Sequence, residues 1–187
     1  VCGDKLDNNC DGTVDGAMAK CADATRKCVN QKCVQCAAAT DCAAQACQTA
    51  SCTSDACAYR DEGPTTSRSQ YDGQLVAADD PNLPAVYYVW AGTKFQVARD
   101  TDVDTWYGGW VNVRKVPASA VNGLMSTPSD KTMFRTADSA IVYRMQGGTK
   151  RHITSDAAVN GPCGGFASVG IVPPGSISGI PDGAALP

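Results

Sequence analysis

The segment Val86-Tyr87-Tyr88-Val89-Trp90-Ala91-Gly92-Thr93-Lys94-Phe95-Gln96-Val97 decides the fold, because its pattern returns 56 residues later as Val142-Tyr143-Arg144-Met145-Gln146-Gly147-Gly148-Thr149-Lys150-Arg151-His152-Ile153. Each copy places β-branched and aromatic residues on both sides of a two-residue turn, Ala91-Gly92 or Gly147-Gly148. That is the pattern of a tight β-hairpin with a type I′ or II′ turn. Strands are predicted over 86–90 and 93–97, and again over 141–145 and 149–153. At the same offset, without gaps, Val86, Tyr87, Gly92, Thr93, Lys94, Asp100, Val103, Gly108, Gly109, Val113, Pro117 and Gly123 recur as Val142, Tyr143, Gly148, Thr149, Lys150, Asp156, Val159, Gly164, Gly165, Val169, Pro173 and Gly179. Such identities imply an internal duplication. Third strands are expected at Trp110–Val113 and Phe166–Ile171, each followed by a single helical turn, near Ser119–Gly123 and Gly175–Ile180. The expected fold is mainly β: a small disulfide-rich N-terminal module plus a duplicated β-hairpin or three-stranded repeat domain with short helical turns. The repeats span 75–130 and 131–187. Each would leave an apolar face open, so they pack on one another or on other subunits.

Before the first repeat, residues 58–74 are small and polar, the composition of a linker or a long loop between modules. Before them, residues 1–57 hold ten of the eleven cysteines, at 2, 10, 21, 28, 33, 36, 42, 47, 52 and 57, with hardly any large apolar residue between them. A segment so poor in core formers needs cross-links, and an even cysteine set supplies disulfides in an oxidising compartment. Zinc competes at Cys33-Val34-Gln35-Cys36, but this part has no second Cys-x-x-Cys and no histidine. The net charge of −3 includes no basic excess in either part, which argues against nucleic acid as a partner. No apolar run is long enough for a transmembrane segment, and the opening Val1-Cys2-Gly3-Asp4 reads as a processed chain, extracellular or displayed at the cell surface.

One stretch of the cysteine-rich part carries specific chemistry. Asp7-Asn8-Asn9-Cys10-Asp11-Gly12-Thr13-Val14-Asp15 has the Asp-x-Asn-x-Asp-Gly opening of a calcium loop, in which oxygen ligands at alternate positions converge on a hard cation. The assignable ligands are the side chains of Asp7, Asn9 and Asp11, the Thr13 carbonyl and Asp15, with Asp4 or water completing the shell. An EF-hand would need Glu at the twelfth position, where Met18 stands, and the sole Glu of the chain is Glu62. A polar turn held by neighbouring disulfides is the alternative.

Cys2-Gly3-Asp4, Asp7 to Gly12 and Asp15 together resemble a Cys/Asp metal-binding motif of secreted bacterial surface proteins, plentiful in myxobacteria. The match departs at Lys5 and Gly16. The spacing from Cys28 to Cys57 is similar to the cysteine-rich modules that accompany that motif. The second repeat, with Val142-Tyr143, Gly148, Lys150-Arg151-His152-Ile153 and Ile180-Pro181, resembles an extracellular bacterial repeat that occurs in tandem and has no assigned catalytic activity. These resemblances imply an extracellular bacterial protein and no enzyme.

The remaining candidates are weaker. His152 is the lone histidine, no Gly-x-Ser-x-Gly elbow exists, and no catalytic residue is assigned. Asp100, Asp102 and Asp104 alternate and could hold a second metal, or form a solvated acidic loop. Tyr88, Trp90, Trp106, Tyr107 and Trp110 could form a core, or a patch for glycan or a neighbouring subunit. Cys163 is left over from the even set, either buried alone or paired. The Ala- and Gly-rich tail has little to hold it, which suggests ordering by neighbours, and open hairpin edges would invite strand addition between subunits. The functional expectation is an extracellular structural protein, a subunit of a surface assembly or filament stabilised by disulfides and calcium. Its partners would be further copies or other surface proteins. A glycan-binding adhesin or surface recognition module, contacting polysaccharide, is the alternative.

Overall fold

The computed structural model describes residues 27–29 and 32–187, with side chains from Val34 onward. The chain divides between Asp61 and Glu62 into two compact units. In the first, β1 (Lys27–Val29) and β2 (Lys32–Val34) pair antiparallel, with Cys28 opposite Cys33. A second hairpin joins β3 (Gln48–Thr53) to β4 (Ala56–Asp61). Its turn residues, Ser54 and Asp55, both have positive φ, 51° and 66°, the conformation a type I′ turn requires. Neither strand of this hairpin has a fully buried side chain. Cross-links replace the missing core. Cys52 and Cys57 face each other across the hairpin and bond to Cys36 and Cys42 in the loop before it. With separations of 16 and 15 residues, each bridge removes about 3 kcal/mol worth of unfolded-chain entropy. Disulfides, as expected, are therefore present among the N-terminal cysteines, at Cys36–Cys52 and Cys42–Cys57. β4 also claims residues 58–61 of the predicted linker.

The second unit holds two four-stranded sheets. β5 (Leu75–Ala78), β6 (Val86–Trp90), β7 (Thr93–Gln96) and β8 (Val113–Val116) lie in the order β7-β6-β5-β8. β9 (Met133–Thr136), β10 (Tyr143–Gln146), β11 (Thr149–His152) and β12 (Val169–Val172) lie in the order β11-β10-β9-β12. In both sheets the three earlier strands are antiparallel and the last runs parallel to the first. The hairpins form as expected, and Ala91-Gly92 and Gly147-Gly148 have positive φ at both turn positions. Each sheet exceeds the expected three strands because β5 and β9 enter as inner strands. The predicted third strands begin late: Trp110–Asn112 and Phe166–Ser168 are single 3-10 turns, and the strands start at Val113 and Val169.

Short helices bridge the sheet edges. α1 (Asp100–Tyr107) carries the chain from β7 across to β8, and α3 (Asp156–Asn160) makes the corresponding crossing in the other sheet. α2 (Ala118–Asn122), the expected helical turn after β8, packs on β5. One face of the first sheet buries Val76, Val89, Val116, Val121, Leu124 and Tyr71. The other buries Leu75, Val86, Val97 and Val103 beneath α1. A third cluster joins the sheets, with Phe95 against Phe134, Met145, Val172 and Ile177, and Trp90 beside them. Trp90 lies on Gly170 of β12 and donates its indole N–H to the Met133 carbonyl at 3.0 Å. The open faces anticipated from the sequence are thus closed against each other within one chain.

Residues 62–74 also belong to this unit rather than hanging between domains. Tyr71 is buried, the Thr65 amide donates to the Lys131 carbonyl at 3.2 Å, and Glu62 pairs with the buried guanidinium of Arg144. The C-terminal tail needs no neighbour either. Residues 181–186 run parallel beside β11: the Lys150 amide donates to the Pro181 carbonyl, and those of Gly183 and Leu186 donate to Lys150 and His152. Lys150 adds an ion pair to Asp182 at 2.9 Å. On β7, Met125 exchanges backbone bonds with Gly92 and Lys94. The β11 edge expected to be open is thus covered within the chain, and the β7 edge is covered at its Gly92–Lys94 end.

Candidate functional site

The sequence-predicted calcium ligands Asp4, Asp7, Asn9, Asp11, Thr13 and Asp15 lie outside the described residues, as do Cys2, Cys10 and Cys21. Among the described residues one group has metal-ligand proximity: the sulfurs of Cys36, Cys42 and Cys57 lie within 4.8 Å of one another. These sulfurs are spent in the two disulfides and offer no thiolate, the form a metal requires. Cys47 and Cys163 are also disulfide-bonded and buried, so Cys163 is not a free thiol.

Asp100, Asp102 and Asp104 stand on α1, not on a loop. Alternate residues converge on one side of an extended chain, but successive helical residues turn by about 100°, which separates them. Asp102 points inward and takes a two-pronged hydrogen bond from Arg99, at 3.1 and 2.9 Å. Asp100 and Asp104 face solvent. The acidic start of α1 suits the positive end of the helix dipole, and Gly108, at φ 74°, ends the helix in the left-handed conformation.

The five aromatic residues divide into two groups. Tyr88 stacks on Tyr107 with ring centroids 5.2 Å apart, and the Tyr107 hydroxyl donates to the Ile171 carbonyl at 3.2 Å. Burial pushes both hydroxyl pKa values upward; Asp72 adds to the effect at Tyr88, and Tyr88 and then Asp102 add to it at Tyr107. Trp90 is committed to the contact between the sheets. Trp106 and Trp110 remain 43% and 48% exposed, and Val111, next to Trp110 in the chain, is 91% exposed. The corresponding 3-10 turn of the other sheet exposes Phe166 at 45%. His152 pairs across the hairpin with Tyr143, the two rings 6.2 Å apart. Among the described residues it is hydrogen-bonded to no carboxylate or nucleophile.

Sequence reasoning missed a cavity of about 410 Å³ on the first sheet. Its walls are Ala78, Val86, Tyr87, Val97, Val103 and Val121, and its rim carries Asn82, Leu83, Pro84, Gln96, Asp100 and Asn122. Asp80 stiffens the rim by accepting from the Asn82 amide and side chain, at 2.8 and 3.1 Å. Beside two of these wall residues, the Lys94 ammonium donates to the Val121 carbonyl at 3.0 Å and lies 5.6 Å from the Tyr87 ring centre. A signal was present in the sequence. Ala78 to Val86 is two residues longer than the structurally equivalent stretch from Thr136 to Val142, and the longer connection contains Pro81 and Pro84. No family model, curated protein or solved structure matches the chain.

Proposed function

We propose that the chain is an extracellular bacterial structural protein, a subunit of a surface assembly or filament, stabilised by disulfides and by calcium at the 7–15 loop. On this reading the two sheets descend from one duplicated unit, and the chain is related to the myxobacterial-type surface proteins that its N-terminal motif resembles. The cysteine pairs fit an oxidising environment. No described helix is long and apolar enough to cross a membrane.

The observation that carries the proposal is the repeated exposure of a large apolar side chain on corresponding turns, Trp110 in one and Phe166 in the other. Exposed apolar groups on a folded surface favour partner contact. Two different adhesive turns on one protomer can meet head to tail, and a head-to-tail contact that does not close builds a filament.

Light scattering and negative-stain microscopy of oxidised protein with calcium test this. Polymers or defined oligomers are expected, shortened by Trp110→Ala or Phe166→Ala and loosened by a chelator. A monomer at high concentration under every condition would refute the assembly. The alternative adhesin would use the same exposed Trp106 and Trp110; it predicts polysaccharide-induced quenching of their fluorescence, abolished by Trp110→Ala.

A further inference from the structure

We propose that the cavity on the first sheet is a binding site for a neutral mono- or disaccharide. Its volume of about 410 Å³ lies towards the small end of the roughly 300–1,000 Å³ typical of small-ligand sites. Its apolar lining comes from Val86, Val97 and Val103 on the α1 face of the sheet, and from Val121 and the half-buried ring of Tyr87 on the other face. Apolar lining of this kind suits the C–H groups of a pyranose. The same cavity is lined by one carboxylate, Asp100, and three primary amides, Asn82, Gln96 and Asn122. Amides donate and accept, and a carboxylate accepts two hydrogen bonds, the complement needed by adjacent hydroxyls.

Three features select this ligand class. No cationic side chain lines the cavity, and the ammonium groups of Lys94 and Lys115 beside it are held on the Val121 and Ala78 carbonyls, so a sugar acid or phosphate would find no free counter-charge within it. A single exposed carboxylate among three amides is a weak trap for an amine, whereas neutral hydroxyls can use all four groups. The side chains of Gln96, Asp100 and Asn122 have no hydrogen-bond partner among the described residues and stay available to a ligand.

The cavity also differs between the two sheets for a visible reason. Its Asn82-Leu83-Pro84 wall belongs to the longer connection between β5 and β6. The Asp80 turn and two prolines hold that connection in shape before a ligand arrives, which lowers the ordering cost of binding.

The test uses the oxidised full chain and ligand-observed saturation-transfer NMR. Glucose, galactose, N-acetylglucosamine and their disaccharides are the neutral probes; glucosamine and glucuronate are the charged ones. At least one neutral sugar is expected to receive saturation at millimolar concentration. Asp100→Ala and Asn122→Ala should each weaken its binding about tenfold, and Ala85→Trp, at a further lining position beside Pro84, should abolish it by filling the cavity. Circular dichroism checks that each variant is folded. Trp106→Ala and Trp110→Ala should leave binding unchanged. The proposal is overturned if no neutral sugar binds, if only a charged probe binds, or if binding survives all three cavity substitutions. Loss of binding in the exposed-Trp variants alone would also overturn it.

Discussion

Gly170→Ala is a sensitive probe of how the two sheets hold together. A Cβ at position 170 would enter the indole of Trp90, 2.7 Å from Cδ2 and closer still to Cγ and Cδ1. Gly170 has no positive φ, so without that ring the substitution would stabilise the fold by about 0.4–1 kcal/mol through reduced freedom of the unfolded chain. The clash reverses the sign. Trp90 is held by its hydrogen bond to Met133 and by packing beside Phe95 and Phe134. Displacing it costs about 1 kcal/mol for the hydrogen bond and about 1–3 kcal/mol for overpacking. The net loss is about 1–3 kcal/mol. Urea unfolding of oxidised protein, followed by circular dichroism, measures it as a lower midpoint at an unchanged slope. Trp90→Leu removes the obstacle, so Gly170→Ala in that background should be neutral or stabilising. A Gly170→Ala protein at least as stable as the parent, or equal costs in both backgrounds, would refute the packing argument.

The buried ion pair should respond unequally to loss of either partner. Arg144 is 4% exposed and Glu62 26%, so Glu62→Leu strands a charge that cannot reach water and should cost about 3–5 kcal/mol; Arg144→Leu should cost less, as urea midpoints will reveal. Alkaline stability follows from the stacked tyrosines. Their folded pKa values lie above the ordinary tyrosine value of 10.0, so folded protein retains protons that the unfolded chain releases. The stabilisation from their neutral forms is complete below that value and is lost as pH climbs through the folded values. Tyrosinate absorbance should show Tyr88 and Tyr107 ionising last, together with unfolding. Simple titration of all six tyrosines in one unperturbed step would contradict the burial argument.

How much of this was legible depended on whether a residue's neighbours in sequence were also its neighbours in space. The two hairpins could be read because alternation, turn residues and the repeat all agreed over 86–97 and 142–153. β5 and β9 were hidden. Leu75–Ala78 is buried throughout and carries no alternation. Val76 and Phe134 are equivalent by pairing, opposite Tyr87 and Tyr143, yet lie 58 rather than 56 residues apart. A gapless comparison slips past that strand, and the two residues that cause the slip also help build the cavity wall. α1 was read as an acidic loop because its Thr, Val and Asp residues are poor helix formers. Packing of Val103 and the Asp102–Arg99 pair hold the helix in place. Residues 62–74 do form a long loop, but their attachment to the second unit could not be read because the Glu62, Thr65 and Tyr71 contacts, like the β4 pairing of 58–61, are long-range.

The sheet edges show why association, if it occurs, should proceed through side chains instead of added strands. An unpaired strand edge invites another chain, and soluble proteins suppress that with charge or cover. Each of the four edge strands of the second unit has such a device. β7 is bonded to Met125 and β11 to the C-terminal tail. β8 presents exposed Arg114 and Lys115, two like charges that oppose pairing with an identical edge. The corresponding positions of β12 are Gly170 and Ile171, which carry no charge. There the protection is contact: Trp90 covers Gly170, and the Tyr107 hydroxyl occupies the Ile171 carbonyl. Against edges so closed, Trp110, Val111 and Phe166 stand out as exposed apolar groups on turns, where a partner can bury them without disturbing either sheet.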